Sequence, residues 1–454
     1  MKILLKDIEL IATFNENLDE IKNGWILIEN NIIKNLGKMD NLAELKTDKI
    51  IDCKNMIIMP GFVNTHSHFY QSLFRALPEV QNAKLFDWLS FLYKKWENID
   101  EESIKISSVV STLELMKSGV TTTVDHLYLF PKNHPFILDS EIEGVLMTGI
   151  RFYIIRGSMC VSKESGGLPL KSVVQNIDEI LKDYERVMQL YNKTNPYSML
   201  RVALGPCSIF TVNTDLLRET LNFANRNNLL LHMHLCETKD EYEYCLSKYN
   251  LKPIDYMEEI GWLNNKVWFA HLVHINDDDI EKLSRAGIGF AHCPTANMRL
   301  GDGISPVFKM KNSSINIGLG VDGSASNDTN NFLHEIRHAM LLQRVKFGAD
   351  SISPKEALYF GTVGGAKVLK LDHEIGSIEQ GKAADIIGFK LNRLEFAGAL
   401  TDPINSIVFC DSKNVDFSMI NGKIIIENGN FINIDPEYFI DKQNQISKRL
   451  IQLN

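Results

Sequence analysis

His66 and His68 close the run Pro60-Gly61-Phe62-Val63-Asn64-Thr65-His66-Ser67-His68. In extended chain, residues two apart point the same way, so both imidazoles can turn toward one metal ion. The pattern alone is weak: 12 histidines in 454 residues produce such pairs by chance, and His232-Met233-His234 is a second instance. Position has to decide. His234 ends an apolar run and leads into Leu235-Cys236-Glu237, and Asp322 follows Ile317-Gly318-Leu319-Gly320-Val321. Three imidazoles and one carboxylate make a reasonable ligand set for a single catalytic zinc, with iron(II) as the alternative, and leave a position open for water. Such a metal lowers the pKa of its water toward neutrality. The competing reading makes Asp322 a turn or capping residue and the two histidines hydrogen-bonded core groups.

Another run, Phe269-Ala270-His271, ends in a histidine placed to hydrogen-bond a metal-bound water without being a ligand. His274, three residues on, reads as structural. His292, in Ala291-His292-Cys293-Pro294, fits a loop role as well as a substrate contact.

Each of these groups follows a short β-rich run. Eight such runs are present, at Ile57–Thr65, Gly119–Asp125, Arg151–Gly157, Leu200–Gly205, Leu229–Leu235, Val267–His271, Gly287–Ala291 and Ile315–Val321. They alternate with helix-like stretches such as Glu102–Lys117 and Asp240–Ile260. The alternation predicts an α/β fold, a (β/α)8 TIM barrel with its active site where the strands end. The fourth run, ending Leu204-Gly205-Pro206-Cys207, has no lysine where dinuclear barrel hydrolases carry a carbamylated one to bridge two metals. One divalent metal is therefore expected. Both chain ends carry β runs punctuated by asparagine and glycine, Gly24–Ile33 and Ile420–Phe431. They predict one small β-sandwich built from residues 1–58 and 370–454, flanking a catalytic barrel over 59–369.

Composition narrows the partners. The chain carries 48 Lys and Arg against 57 Asp and Glu, a formal net charge of −9, and no basic block, which argues against nucleic acid. No apolar run approaches the roughly 18 residues of a membrane span. The opening Met1-Lys2-Ile3-Leu4-Leu5-Lys6-Asp7 lacks a secretory core, and seven cysteines without a CxxC pair fit reduced thiols. A cytoplasmic protein acting on a small molecule is expected, with homo-oligomer formation left open.

Longer stretches carry a family resemblance: Pro60–His68, His234-Leu235-Cys236-Glu237-Thr238, Phe269–His274, His292–Gly301, Gly320–Asp328 and Gly381-Lys382-Ala383-Ala384-Asp385. Over its whole length the chain resembles the amidohydrolase superfamily, in the branch of cytosine and guanine deaminases and triazine hydrolases. The resemblance implies a barrel with a flanking β-sandwich, a mononuclear site of His66, His68, His234 and Asp322, and catalytic roles for Glu237 and His271. Phe69–Ala76, Val124–Pro131, Arg156–Met159 and Gly166–Pro169 narrow the resemblance to deaminases of oxidised guanine and, secondarily, to hydroxyatrazine ethylaminohydrolases. Two residues depart from the pattern. Ser67 stands where many bacterial relatives carry a third histidine, and Cys160 stands where serine is expected, a change that bears on the substrate pocket.

Hydrolytic deamination needs a nucleophilic water, a proton for the ring nitrogen beside the attacked carbon, and a proton for departing ammonia. Asp322 and the metal would activate the water, His271 would orient it, and Glu237 would carry protons; the plainer reading of Glu237 is an acidic residue favouring the next helix N-terminus. Gln71 would bind the substrate edge, since its amide both donates and accepts. Phe69, Tyr70, Trp88, Tyr93 and Trp96 could stack on a flat base, though a helical core stripe looks the same. The expected reaction is 8-oxoguanine to urate plus ammonia, with isocytosine a further substrate. The rivals are a hydroxyatrazine-type s-triazine aminohydrolase, a hydrolase of cyclic amides that does not deaminate, and an inactive barrel scaffold, which retention of every ligand position disfavours.

Overall fold

Eight parallel strands close on themselves in the computed structural model, which describes residues 1–453. They are β1 Phe62–Asn64, β2 Val120–Leu127, β3 Arg151–Ser158, β4 Leu200–Pro206, β5 Leu231–Leu235, β6 Val267–His271, β7 Gly289–His292 and β8 Asn316–Leu319. The pairing of Leu319 with Asn64 completes the ring. Side chains alternate across the pleat, as strand geometry requires. Phe152, Ile154, Val202, Leu204, Phe269 and Phe290 pack outward into the large helix-facing core. Their neighbours Tyr153, Ile155, Ala203, Trp268, Ala270 and Ala291 fill a separate cluster on the opposite face. The same parity aims His232 and His234 inward, between Leu231, Met233 and Leu235 of the outer core.

Strands from both chain ends form one nine-stranded sheet beside the barrel. Met56–Pro60 joins the two ends, pairing in parallel with Lys2–Ala12 and antiparallel with Ile386–Lys390. Ile3, Leu5, Ile26, Ile58, Ile386 and Met419 share its core. Its hairpins turn at Asn421-Gly422 and Asn428-Gly429, where φ is positive at both central residues, the conformation these residue types tolerate best.

Three details differ from the sequence expectation. The apolar run Ile57–Thr65 is two strands, Met56–Pro60 in the flanking sheet and β1 in the barrel, because burial on both sides leaves no change of period at the join. Asp240–Ile260 breaks into helices Lys239–Tyr249 and Pro253–Glu259, the first ending at left-handed Asn250 and the second starting on a proline that cannot continue it. The last helix, Pro436–Gln452, leaves the sheet and packs on helix Glu101–Lys117 and the 3-10 segment Phe69–Phe74. There Gln443 Nε2 donates to Ser72 O at 3.2 Å and Ser447 Oγ to Leu73 O at 2.6 Å, so the chain's end fastens the loop after β1. Among the described residues, no helix is long and apolar enough to cross a membrane.

Candidate metal and catalytic site

His66 and His68 leave the end of β1, His234 lies near the end of β5, and Asp322 follows β8, so all four candidate ligands meet at one mouth of the barrel. All are buried, and their ligand atoms lie within 4.8 Å of one another. Asp322 Oδ1 stands 3.3 Å from His66 Nε2 and 3.4 Å from His68 Nε2, and His68 Nε2 is 3.0 Å from His234 Nε2. Burial first, then neighbouring imidazoles, holds His66 and His68 well below the usual histidine pKa, and burial lowers His234 to about 4. The rings are thus neutral and the short contacts are not ion pairs. His66 Nε2 is buried without a hydrogen-bond partner.

The remaining ring nitrogens explain which way each lone pair points. His68 Nδ1 lies 2.9 Å from His126 O and His234 Nδ1 2.7 Å from Cys207 O. A carbonyl only accepts, so both Nδ1 atoms carry the proton and both Nε2 atoms present lone pairs to Asp322. Neutral imidazole lone pairs facing a carboxylate form the donor set of a divalent transition metal, and the residues fit one such ion.

Glu237 and His271 border the same space. Glu237 is not the surface helix-starter of the plainer reading: Thr238 caps the following helix, and Glu237 is only 5% exposed. Burial first, then the charges of Asp302, Asp322 and Glu241, pushes its carboxyl well above the usual carboxylate range. Burial lowers His271. Both shifts favour the uncharged forms, which disfavours reading the 3.6 Å approach of Glu237 Oε1 to His271 Nε2 as an ion pair. His271 Nδ1 donates to Asn297 Oδ1 at 2.9 Å, leaving Nε2 toward the cavity. Cys236, His271, Leu272 and Asp322 all have positive φ, between 40° and 75°. Such strain in non-glycine residues gathers where function fixes a side chain's direction.

A cavity of about 420 Å³, counting its open mouth, has His68, His234, Glu237, His271 and Asp322 on its walls, with Gln71 facing them. Gln71 Oε1 is buried and has no partner. Of the aromatic residues after β1, Trp88 and Tyr93 line the cavity, on helix Leu85–Trp96, whereas Phe69, Tyr70 and Trp96 belong to the surrounding core. Cys160 does not line the cavity, and His274 is half-buried outside it. His292 is fully buried behind it, with both ring nitrogens unpaired. Sequence reasoning gave no role to several groups, among them Cys207 and Ser208 after β4, Phe210, Ser326, whose hydroxyl donates to Asp322 Oδ2 at 3.1 Å, and His232. Only His232 carried a signal, the i, i+2 pattern with His234.

A closed (β/α)8 barrel with a three-histidine, one-aspartate cluster at its mouth is the frame of a metal-dependent hydrolase. Residues 57–425 match the amidohydrolase family, and the chain belongs to that family. It is 37% identical over 441 residues to 8-oxoguanine deaminase of Pseudomonas aeruginosa, covering 97% of this chain and 98% of that one. It is 32% identical over 455 residues to 5'-deoxyadenosine deaminase of Methanobrevibacter smithii, covering 99% and 98%. Among solved structures, atrazine chlorohydrolase from Arthrobacter aurescens TC1, complexed with zinc, superposes with a TM-score of 0.94 at 28% identity, over 98% of this chain and 100% of that one. The chain is a hydrolytic enzyme acting on C–N bonds.

Proposed function

We propose that this enzyme deaminates a guanine-like heterocycle, converting 8-oxoguanine to urate and ammonia, and that it accepts isocytosine through the same edge. The observation that carries this reading is Gln71 Oε1, a buried acceptor without a donor in the same cavity as Glu237, His271 and the candidate ligands. An N–C(NH2)–N edge beside a carbonyl supplies the missing donor, and leaving such an acceptor unmatched costs about 1–3 kcal/mol. Likeness to a bacterial 8-oxoguanine deaminase over nearly the whole length of both chains supports the choice. Trp88, Tyr93 and Phe210 line the same cavity and offer aromatic surface to a planar ring.

His66, His68, His234 and Asp322 would hold one divalent cation, zinc by preference and iron(II) otherwise, whose chemistry is to lower the pKa of water toward neutrality. Glu237, protonated by its surroundings, gives a proton to the ring nitrogen as water oxygen bonds to the carbon bearing the exocyclic amine. His271 Nε2 accepts a hydrogen bond from that water and sets its direction. The tetrahedral carbon then releases the amine: the C–N bond breaks, the water's two protons pass through Asp322 and Glu237, one to the departing amine and one back to Glu237, and ammonia leaves a carbonyl behind. The partner is a free base rather than nucleic acid. Seven cysteines, none paired with another, fit a reducing cytoplasmic setting.

Steady-state ammonia release from 8-oxoguanine, isocytosine, cytosine and hydroxyatrazine under one condition tests the assignment. The first two should lead in kcat/KM. A tenfold lead for cytosine or hydroxyatrazine, about 1.4 kcal/mol of transition-state preference, overturns it. Hydroxyatrazine belongs in the panel because the zinc-bound atrazine chlorohydrolase shares this fold so closely.

A further inference from the structure

We infer that His232 is a positioning residue, the acceptor that fixes the tautomer and direction of His66, and this rests on the reading of His66 as a metal ligand. His66 Nδ1 stands 2.8 Å from His232 Nε2, and His232 Nδ1 stands 3.0 Å from Trp268 O. The carbonyl of Trp268 can only accept, so His232 carries its proton on Nδ1 and presents a lone pair at Nε2. His66 must then carry its own proton on Nδ1, leaving Nε2 bare toward Asp322. One carbonyl thus settles two tautomers in series. The relay is closed on itself: His232 stacks on the Trp268 indole, with ring centroids 4.5 Å apart at 26°, and Trp268 Nε1 donates to Thr65 O at 3.1 Å, beside His66 in the chain. Strands β1, β5 and β6 are locked together at the depth of the candidate ligands. His66 and His232 are both 0% exposed, so no water replaces a lost acceptor cheaply.

His68 and His234 rest on backbone carbonyls, which no substitution of a side chain removes. His66 alone among the three depends on another side chain. Removing that acceptor leaves a buried Nδ1–H unpaired, and partners of this kind typically govern metal affinity by about 10- to 100-fold.

Two substitutions separate hydrogen bonding from packing. His232→Gln keeps an acceptor oxygen near the Nε2 position, whereas His232→Phe keeps a ring against Trp268 and removes the acceptor. With zinc as probe, chelator competition on each folded variant should give about 10- to 100-fold weaker binding for His232→Phe and near-native binding for His232→Gln. In zinc-saturated enzyme, kcat should fall in His232→Phe with KM little changed, and recover in His232→Gln. Should His232→Phe not fold, 15N-histidine spectra of the unsubstituted zinc-loaded enzyme still decide: His66 and His232 must both carry their proton on Nδ1. Native zinc affinity in His232→Phe, equal damage in both variants, or an Nε2–H tautomer at either ring overturns the inference. His66→Ala is the control for the underlying reading, since retention of zinc there removes the metal role itself and not only the part assigned to His232.

Discussion

Gln71 reaches the cavity only because residue 323 is a glycine: a β-carbon there would lie 1.8 Å from Gln71 Oε1 and 2.2 Å from its Cδ. The obstruction falls on the far end of a flexible side chain. Gly323→Ala should therefore swing the Gln71 amide aside without disturbing the backbone, since the φ of Gly323 is not positive. If that amide binds the substrate edge, Gly323→Ala and Gln71→Ala should each lower kcat/KM about 10- to 100-fold, the worth of a hydrogen bond in a buried site. Zinc content should stay native. The two losses should not add in the double variant, because both remove the same contact. Additive losses would separate the residues.

Metal content follows from the convergence of His66, His68, His234 and Asp322. Elemental analysis of purified protein should find about one transition metal per chain, and full activity should need no more. His66→Ala and Asp322→Ala should lose metal and activity together. Two equivalents at full activity would contradict a single-ion site, for which the absence of a lysine at the end of β4 also argues.

Much of this site could be read from the chain because strand ends in a parallel barrel all point to one mouth, so a histidine or aspartate after each apolar run has one destination. His66, His68, His234 and Asp322 come together there, and His271 lines the same cavity. What escaped were groups whose roles depend on the tertiary neighbour. His232 gains its meaning from Trp268 O, 36 residues away, and Ser326 from the turn that returns it to Asp322. The join between flanking sheet and barrel at Pro60 and Phe62 is hidden because both sides are apolar. The packing of Pro436–Gln452 on the loop of Gln71 has no local signal, since an amphipathic helix does not declare which surface it covers.

Glu237 should be separable from the metal. Glu237→Gln keeps the shape of the side chain and a hydrogen-bond donor but cannot give up a proton and take it back. Its metal content should be native while kcat falls at least about 10²- to 10⁴-fold, the usual worth of a positioned acid or base. His271→Asn should also spare the metal and slow turnover. Near-native turnover in Glu237→Gln would move the proton-carrying role to another group.

Burial does most to raise the Glu237 pKa, and the acidic neighbour that adds to it supplies a prediction about pH. After burial, Asp302 is the largest influence raising the Glu237 pKa, and the Asp302 carboxyl is itself pushed up to about 8 by burial, then by Asp322 and Glu241. Asp302 Oδ2 is buried without a partner, and Asp302 is not on the cavity wall, so Asp302→Asn changes a charge without touching substrate. A proton donor works below its pKa, and kcat/KM should decline as pH rises through it. An ionised Asp302 opposes ionisation of Glu237 and holds that decline at higher pH. In Asp302→Asn this opposition is gone, the Glu237 pKa drops, and the alkaline limb should move to lower pH, while the cation common to both proteins leaves the comparison intact. Because the two acids titrate as a pair, the limb should also become simpler, approaching loss of a single proton. Profiles of kcat/KM from pH 6 to pH 10 for both holoenzymes would show it. A limb that stays in place, or moves to higher pH, would mean that Glu237 is not the group whose proton the reaction consumes.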